Sequence, residues 1–228
     1  MFAYESICCY APPMAQLMFA TSFARRPLDV ILSSGGAIRV LRALLAHGGQ
    51  LPATRLAVDA QMTPVGTRKV LHELVRTGIV DQTGSGRAVL YQAAASHPLV
   101  SGFEQLFTAE SRRYTSMIEA VRTAAAAREI LAAWLFGSVA QHTDGPSSDF
   151  DVAIVIAGDV DHLADRLRGE VRNTSDRSGF RISITAMSPD DVVSHFDEKS
   201  AFWAGLENSV VLKGDSPNEL ARKRKAQK

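Results

Sequence analysis

Leu135-Phe136-Gly137-Ser138 and, eleven residues beyond the serine, Asp149-Phe150-Asp151-Val152-Ala153-Ile154-Val155-Ile156 carry most of the chain's chemistry. The run Ile130 to Phe136 reads as a buried strand that ends in a Gly-Ser turn. The second apolar run brings two carboxylates, at i and i+2, onto one face of a strand. Glycine lets a backbone approach a ligand closely, and free N–H groups beside a serine hydroxyl suit a phosphate. Two aspartates on one strand face can share one or two Mg²⁺ ions, which would clamp an in-line phosphoryl or nucleotidyl displacement. The alternation predicts Asp149 and Asp151 on one side, with Phe150, Val152 and Ile154 in the core. The competing reading is a strand-turn-strand whose aspartates sit on a solvated face.

At Gly137-Ser138 and Ser148-Asp149-Phe150-Asp151 the chain resembles the nucleotidyltransferase superfamily related to DNA polymerase β, in particular its minimal members. The resemblance implies a small mixed-sheet domain that uses Mg²⁺ (or Mn²⁺) and takes a nucleoside triphosphate as substrate or ligand. It implies Asp149 and Asp151 as catalytic and metal-holding residues, and Gly137, Ser138 and Ser148 as nucleotide-binding residues. The superfamily's third carboxylate belongs on a later strand, which here is Phe180-Arg181-Ile182-Ser183-Ile184-Thr185. Its alternation puts Arg181, Ser183 and Thr185 on the relevant face, with Ser183 in the slot. A serine is a neutral, weak Mg²⁺ ligand and offers no anionic base for an acceptor hydroxyl. Asp176 and Asp190, near that strand's two ends, are the nearest alternatives in sequence.

Composition sets the outer bounds. At 228 residues the chain has room for one or two domains, each with its own core. The net charge of +1 says nothing about partners, but its distribution does: residues 1–100 carry nine Lys/Arg against five Asp/Glu, so the first half is the basic half. The two cysteines, Cys8 and Cys9, are adjacent, which excludes an ordinary disulfide framework and a cysteine-based zinc site and points to a reducing cytoplasm. No apolar run approaches the roughly 18 residues of a membrane span. Met14 to Ala24 lacks the basic segment of a signal peptide ahead of it and ends in Arg25-Arg26.

The basic half has its own pattern. Residues 1–25 show no period and read as a disordered leader. A helix from Gly36 to His47 carries Ile38, Leu41, Leu44 and Leu45 at helical spacing and closes at Gly48-Gly49. A short helix near Ala53 to Val58 precedes a longer one opened by Thr63 as N-cap and Pro64 at the first helical position, with Val70, Leu71, Leu74 and Val75 inward. Two short strands, Ile79 to Gln82 and Ala88 to Gln92, flank the turn Thr83-Gly84-Ser85-Gly86-Arg87. In this order Leu51 to Ala93 resembles winged-helix regulators of the MarR and ArsR type. The resemblance implies a double-stranded DNA partner, with the helix from Thr63 in the major groove. Its exposed positions would be Thr63, Val65, Gly66, Thr67, Arg68, Lys69 and His72, and Arg87 at the wing tip would meet phosphate. The competing reading is a solvated helix face in a protein-binding winged helix.

Ser101-Gly102-Phe103-Glu104 is a capping-box signature opening a long helix with Phe103, Leu106, Phe107, Tyr114, Met117, Ile118 and Val121 at helical spacing. The organisation expected is therefore α+β: a leader (1–25), a winged helix-turn-helix DNA-binding domain (26–96), a connecting helix (97–128), a nucleotidyltransferase-like domain (129–216) and a basic tail (217–228). The function expected is a cytoplasmic DNA-binding transcriptional regulator, a homodimer because two-fold operators favour one. Its second domain binds Mg-nucleoside triphosphate and transfers a nucleotidyl group to a protein or nucleic-acid acceptor. Small members of the superfamily include antitoxins that modify a toxin, often a HEPN-type partner protein. The alternative is a non-enzymatic regulator whose degenerate transferase fold serves as a nucleotide sensor or dimerisation scaffold.

Overall fold

A computed structural model describes residues 22–86 and 88–227, so most of the expected leader and the candidate residue Arg87 lie outside the described residues. The chain is α+β and divides into two compact units, Met1–Thr108 and Ala109–Lys228.

The first unit starts with α1 (Pro27–Ile31) and α2 (Gly35–His47). Ser34 caps α2 by accepting the Ala37 N–H at 3.1 Å, and Gly48 ends it in the left-handed conformation. The two-residue strand β1 (Leu51–Pro52), α3 (Ala53–Asp59) and α4 (Pro64–Arg76) follow, then the hairpin β2 (Val80–Thr83) and β3 (Leu90–Ala93). The sheet order is β1-β3-β2, all antiparallel, with Leu51 opposite Tyr91. The sequence pattern missed β1, because two residues are too few to show a period. Ile31, Val40, Leu41, Leu44, Leu56, Leu71, Leu74 and Ile79 form the core of this unit.

The long helix α5 (Val100–Ala124) begins before Ser101, so that serine sits inside the first turn and is no N-cap. Val100 is buried, and its N–H bonds to the His97 carbonyl at 3.0 Å, which carries the helical turn back past Ser101. Leu106, expected in the apolar stripe, is 57% exposed.

The second unit continues with β4 (Ile130–Phe136), α6 (Gly137–Ala140), β5 (Phe150–Ile156), α7 (Val160–Ser178), β6 (Ile182–Met187), α8 (Pro189–Glu198), α9 (Ala201–Leu206), β7 (Val210–Lys213) and α10 (Pro217–Lys225). Its four strands run in the order β6-β5-β4-β7. β5 and β6 are parallel, and the other two pairs are antiparallel. Both faces of the sheet are covered, which is why β4 and β5 read as continuous apolar runs. One face packs Leu135, Phe150, Val152 and Ile154 against Val121 of α5 and Leu163, Leu167 and Val171 of α7. The other packs Trp134, Ala153 and Val155 against Val192, Trp203, Leu206, Leu220 and Ala221. The Trp134 indole N–H also donates to the Asp215 carbonyl at 2.8 Å.

The segment expected to be a basic tail is the helix α10. Ser216 and Glu219 form a capping box, Pro217 takes the first turn, and Leu220 and Ala221 are buried. Its charges lie on the other side, where Lys223 pairs with Asp215 and Lys225 with Asp197. A run of basic residues thus conceals two apolar positions that anchor the helix.

Candidate functional site

The parallel register of β5 and β6 sets the geometry of the aspartates. Phe150 pairs with Ile182 and Asp151 with Ser183, and the Phe150 N–H donates to the Arg181 carbonyl at 2.8 Å. Since strand side chains alternate, Asp149, Asp151, Arg181 and Ser183 share one face at the N-terminal ends of the two strands. Each aspartate there has a partner on the neighbouring segment. The Arg181 guanidinium is ion-paired with Asp149, and the Ser183 hydroxyl donates to Asp151.

β4 supplies the third side of the site. Phe136 lies opposite Asp151 across the β4–β5 ladder, so the chain turns into α6 beside that carboxylate. Gly137 takes the turn at φ +73°, and a Cβ placed on it would stand 2.8 Å from Asp151 Oδ2. A side chain there would push the carboxylate aside, and few non-glycine residues hold that backbone conformation. Ser138 follows on α6, half-buried. Ser148 uses its oxygen to accept the Gly145 N–H at 3.0 Å, which closes the turn that leads into Asp149, and its own O–H remains a donor.

Electrostatics distinguish the two carboxylates. Burial first, and then the charge of Asp149, push the Asp151 carboxyl above its ordinary range, against the Ser183 hydrogen bond and the Arg181 charge. Asp149 carries the Arg181 ion pair. That pair was missed in the sequence. Alternation had placed Arg181 on the correct face, but strand register, which sets 181 beside 149, is not readable from periodicity.

No third carboxylate joins the pair: among the described residues no group of three or more His, Cys, Asp and Glu could hold a metal ion. Asp190 follows the C-terminal end of β6, so a strand's length separates it from Ser183. Asp176 is exposed on α7. Two carboxylates, a serine hydroxyl and a glycine-lined approach are nevertheless a donor set of oxygen ligands that suits one Mg²⁺ or Mn²⁺ completed by phosphate and water.

In the first unit, Thr63 caps α4 by accepting the Gly66 N–H at 3.2 Å. Thr63, Arg68, Lys69 and His72 are exposed, and Val65 is 75% exposed. Thr67 is a correction. It is fully buried, one turn after Thr63 and in line with Leu71 and Leu74, and its hydroxyl donates to the Thr63 carbonyl at 3.0 Å. That back-bond satisfies the hydroxyl and lets a polar residue take a core position. Thr67 is therefore not among the exposed positions of α4. His72 and Arg76 share Glu73, at 3.3 and 3.0 Å.

Residues 119–190 match the family described as Polymerase beta, Nucleotidyltransferase, a span that contains β4, the Gly-Ser turn, both aspartates and β6. A crystal structure of the AntR antimony-specific transcriptional repressor aligns with 48% of this chain and 99% of its own, at 23% identity and a TM-score of 0.35. Comparison with curated proteins finds no match. Among the described residues no helix is long and apolar enough to cross a membrane.

Proposed function

We propose that the second unit binds a nucleoside triphosphate with Mg²⁺ or Mn²⁺ and transfers its nucleotidyl group to an acceptor hydroxyl, and that the first unit is a winged helix-turn-helix that binds double-stranded DNA. The observation that carries the catalytic half is the close approach of Gly137 to Asp151, with Asp149 and Asp151 on one strand face, inside the span that matches the nucleotidyltransferase family. Asp149 and Asp151 would hold the cation, which would supply positive charge against the phosphate oxygens. The Gly137 and Ser138 backbone N–H groups and the Ser138 hydroxyl donate to the β- and γ-phosphate oxygens, with Ser148 O–H at the loop end. Ser183 holds Asp151 in one orientation. In the transfer itself, the acceptor oxygen bonds to the α-phosphorus as the bond to the pyrophosphate oxygen breaks. Pyrophosphate leaves, and the acceptor's proton passes to water, since among the described residues no third carboxylate is there to take it.

The regulatory half rests on the helix-helix-hairpin order of the first unit and on the exposed Thr63, Arg68, Lys69 and His72 of α4. In this reading α4 enters the major groove, the β2–β3 turn with Arg87 reaches phosphate, and the chain binds its operator as a homodimer. The acceptor is a protein or a nucleic acid. A HEPN-type toxin would make the chain an antitoxin.

Ser183 and the Asp149–Arg181 pair favour a second reading, in which the site binds nucleotide without transferring it and serves as a sensor or scaffold. Label transfer from α-labelled ATP, GTP, CTP and UTP to lysate proteins or RNA, beside an Asp149→Ala/Asp151→Ala control, separates the two. Label that moves only with the wild type supports transfer. Nucleotide binding that needs the aspartates but moves no label supports the sensor. Transfer that survives in the control overturns the site assignment.

A further inference from the structure

Two polar residues open the site face of β6 and its lead-in, each meets one carboxylate, and one of them is a cation. Arg181 precedes β6, its carbonyl is tied to the Phe150 N–H at 2.8 Å, and its guanidinium lies on Asp149. Two positions along, Ser183 faces Asp151. A two-ion site of the kind that clamps both attacking and leaving oxygens needs carboxylates to bridge and offset two divalent charges. Here a neutral hydroxyl stands beside Asp151 and a permanent positive charge beside Asp149. A second divalent ion brought to Asp149 would meet the guanidinium, with no further carboxylate among the described residues to offset it.

Resting on the nucleotide-site reading above, we infer that the centre takes a single divalent cation, at Asp151 and the near side of Asp149, and that the Arg181 guanidinium supplies the second positive charge to the triphosphate. Arginine suits that task. Its guanidinium is charged at every pH the protein meets, and its planar fork accepts a carboxylate on one edge while presenting further N–H donors to phosphate oxygens on the other. At 74% side-chain exposure it is open to a ligand that arrives from solvent. The pairing also explains why Ser183 is compatible with a working site: an acidic residue there would be needed to hold a second ion, and the guanidinium removes that need. Arg181 is thus a substrate-binding residue that lies outside both the Gly-Ser and the Asp-x-Asp motifs.

The test is a count of bound ions. Manganese is titrated into the full chain in excess over the α,β-methylene analogue of ATP, and bound Mn²⁺ per nucleotide is read by electron paramagnetic resonance. The expected result is one Mn²⁺ for the wild type and for Arg181→Lys. Two are expected for Arg181→Ala/Ser183→Asp. Arg181→Ala alone, a change at an exposed side chain that leaves the β5–β6 ladder intact, is expected to take up a second, weaker Mn²⁺ and to bind the analogue about tenfold more weakly when Mn²⁺ is limiting. Two ions in the wild type, or one ion in Arg181→Ala with unchanged analogue affinity, overturns the inference while leaving a nucleotide site in place. No nucleotide-dependent Mn²⁺ in the wild type removes the site itself, and the inference with it.

Discussion

The sheet end of the second unit and the exposed face of α4 in the first both present charge to solvent, but they differ in how that charge is held. At the sheet end, Arg181 lies on Asp149 and Ser183 bonds Asp151, so each carboxylate already has a protein partner before any ligand arrives, although one negative charge stays unbalanced. On α4, Arg68 and Lys69 have no ion pair among the described residues, while His72 and Arg76 both lie on Glu73. A ligand at the first place must fit around partners already in position, which makes binding dependent on fixed geometry. A polyanion at the second meets loose positive charge, and binding there scales with salt. One is a set of paired side chains at the end of a sheet covered on both faces; the other is a helix surface.

The comparison breaks most visibly through the core. Trp134→Ala deletes a fully buried indole and its hydrogen bond to Asp215, at a cost of about 3–5 kcal/mol. Chemical denaturation followed by circular dichroism is expected to show an early loss confined to part of the signal, with operator binding retained. A single transition that takes both signals together would mean that the two units share one cooperative core.

Gly137→Ala comes next. The left-handed backbone and the 2.8 Å approach to Asp151 make the new methyl displace the carboxylate, and the backbone itself costs about 1–2 kcal/mol. Nucleotide affinity is expected to fall at least about tenfold while the protein stays folded. Affinity equal to wild type by calorimetry would detach the Gly-Ser turn from the site. On α4 the matching change is Arg68→Ala/Lys69→Ala, which lowers the log-log salt slope of operator binding by about two, one for each phosphate no longer neutralised. Thr67→Val sharpens the contrast: as a buried position it alters stability and leaves that slope where it was.

The smallest effect is electrostatic. Because the Asp151 carboxyl is pushed upward by burial and by Asp149, the folded chain holds its proton more readily than the unfolded chain does. The contribution of this carboxyl to stability is therefore fully present below the ordinary carboxylate range and is lost as pH rises through the raised value. Asp151→Asn removes that penalty, so its Tm is expected to exceed wild type modestly at neutral pH. The gain shrinks as the pH is brought down into the ordinary carboxylate range. A gain that persists undiminished under acid would assign it to packing.

What could be read in advance follows from the same contrast. β4 and β5 were legible because a strand buried on both faces leaves an unbroken apolar run, and Asp149 and Asp151 were legible because their spacing of two is the period of a strand. Ser183 was placed by alternation and stands opposite Asp151 in the register. The Arg181 pairing was not legible, since it depends on how two strands slide past each other. Thr67 departs from its expected exposure because a polar residue at a core position looks like a surface residue in the sequence, where its back-bond leaves no mark. α10 was missed because four basic residues in a row outweigh one leucine and one alanine in any composition window.

The most direct test of the nucleotide site is calorimetric titration of the full chain with the α,β-methylene analogue of ATP in Mg²⁺, beside Asp149→Asn/Asp151→Asn, whose folding is checked by its Tm. A shaped site predicts saturable binding of one nucleotide per chain in the wild type, lost in the folded double variant. Equal binding in both proteins, or none in the wild type, would contradict it and return the two aspartates to a solvated strand face.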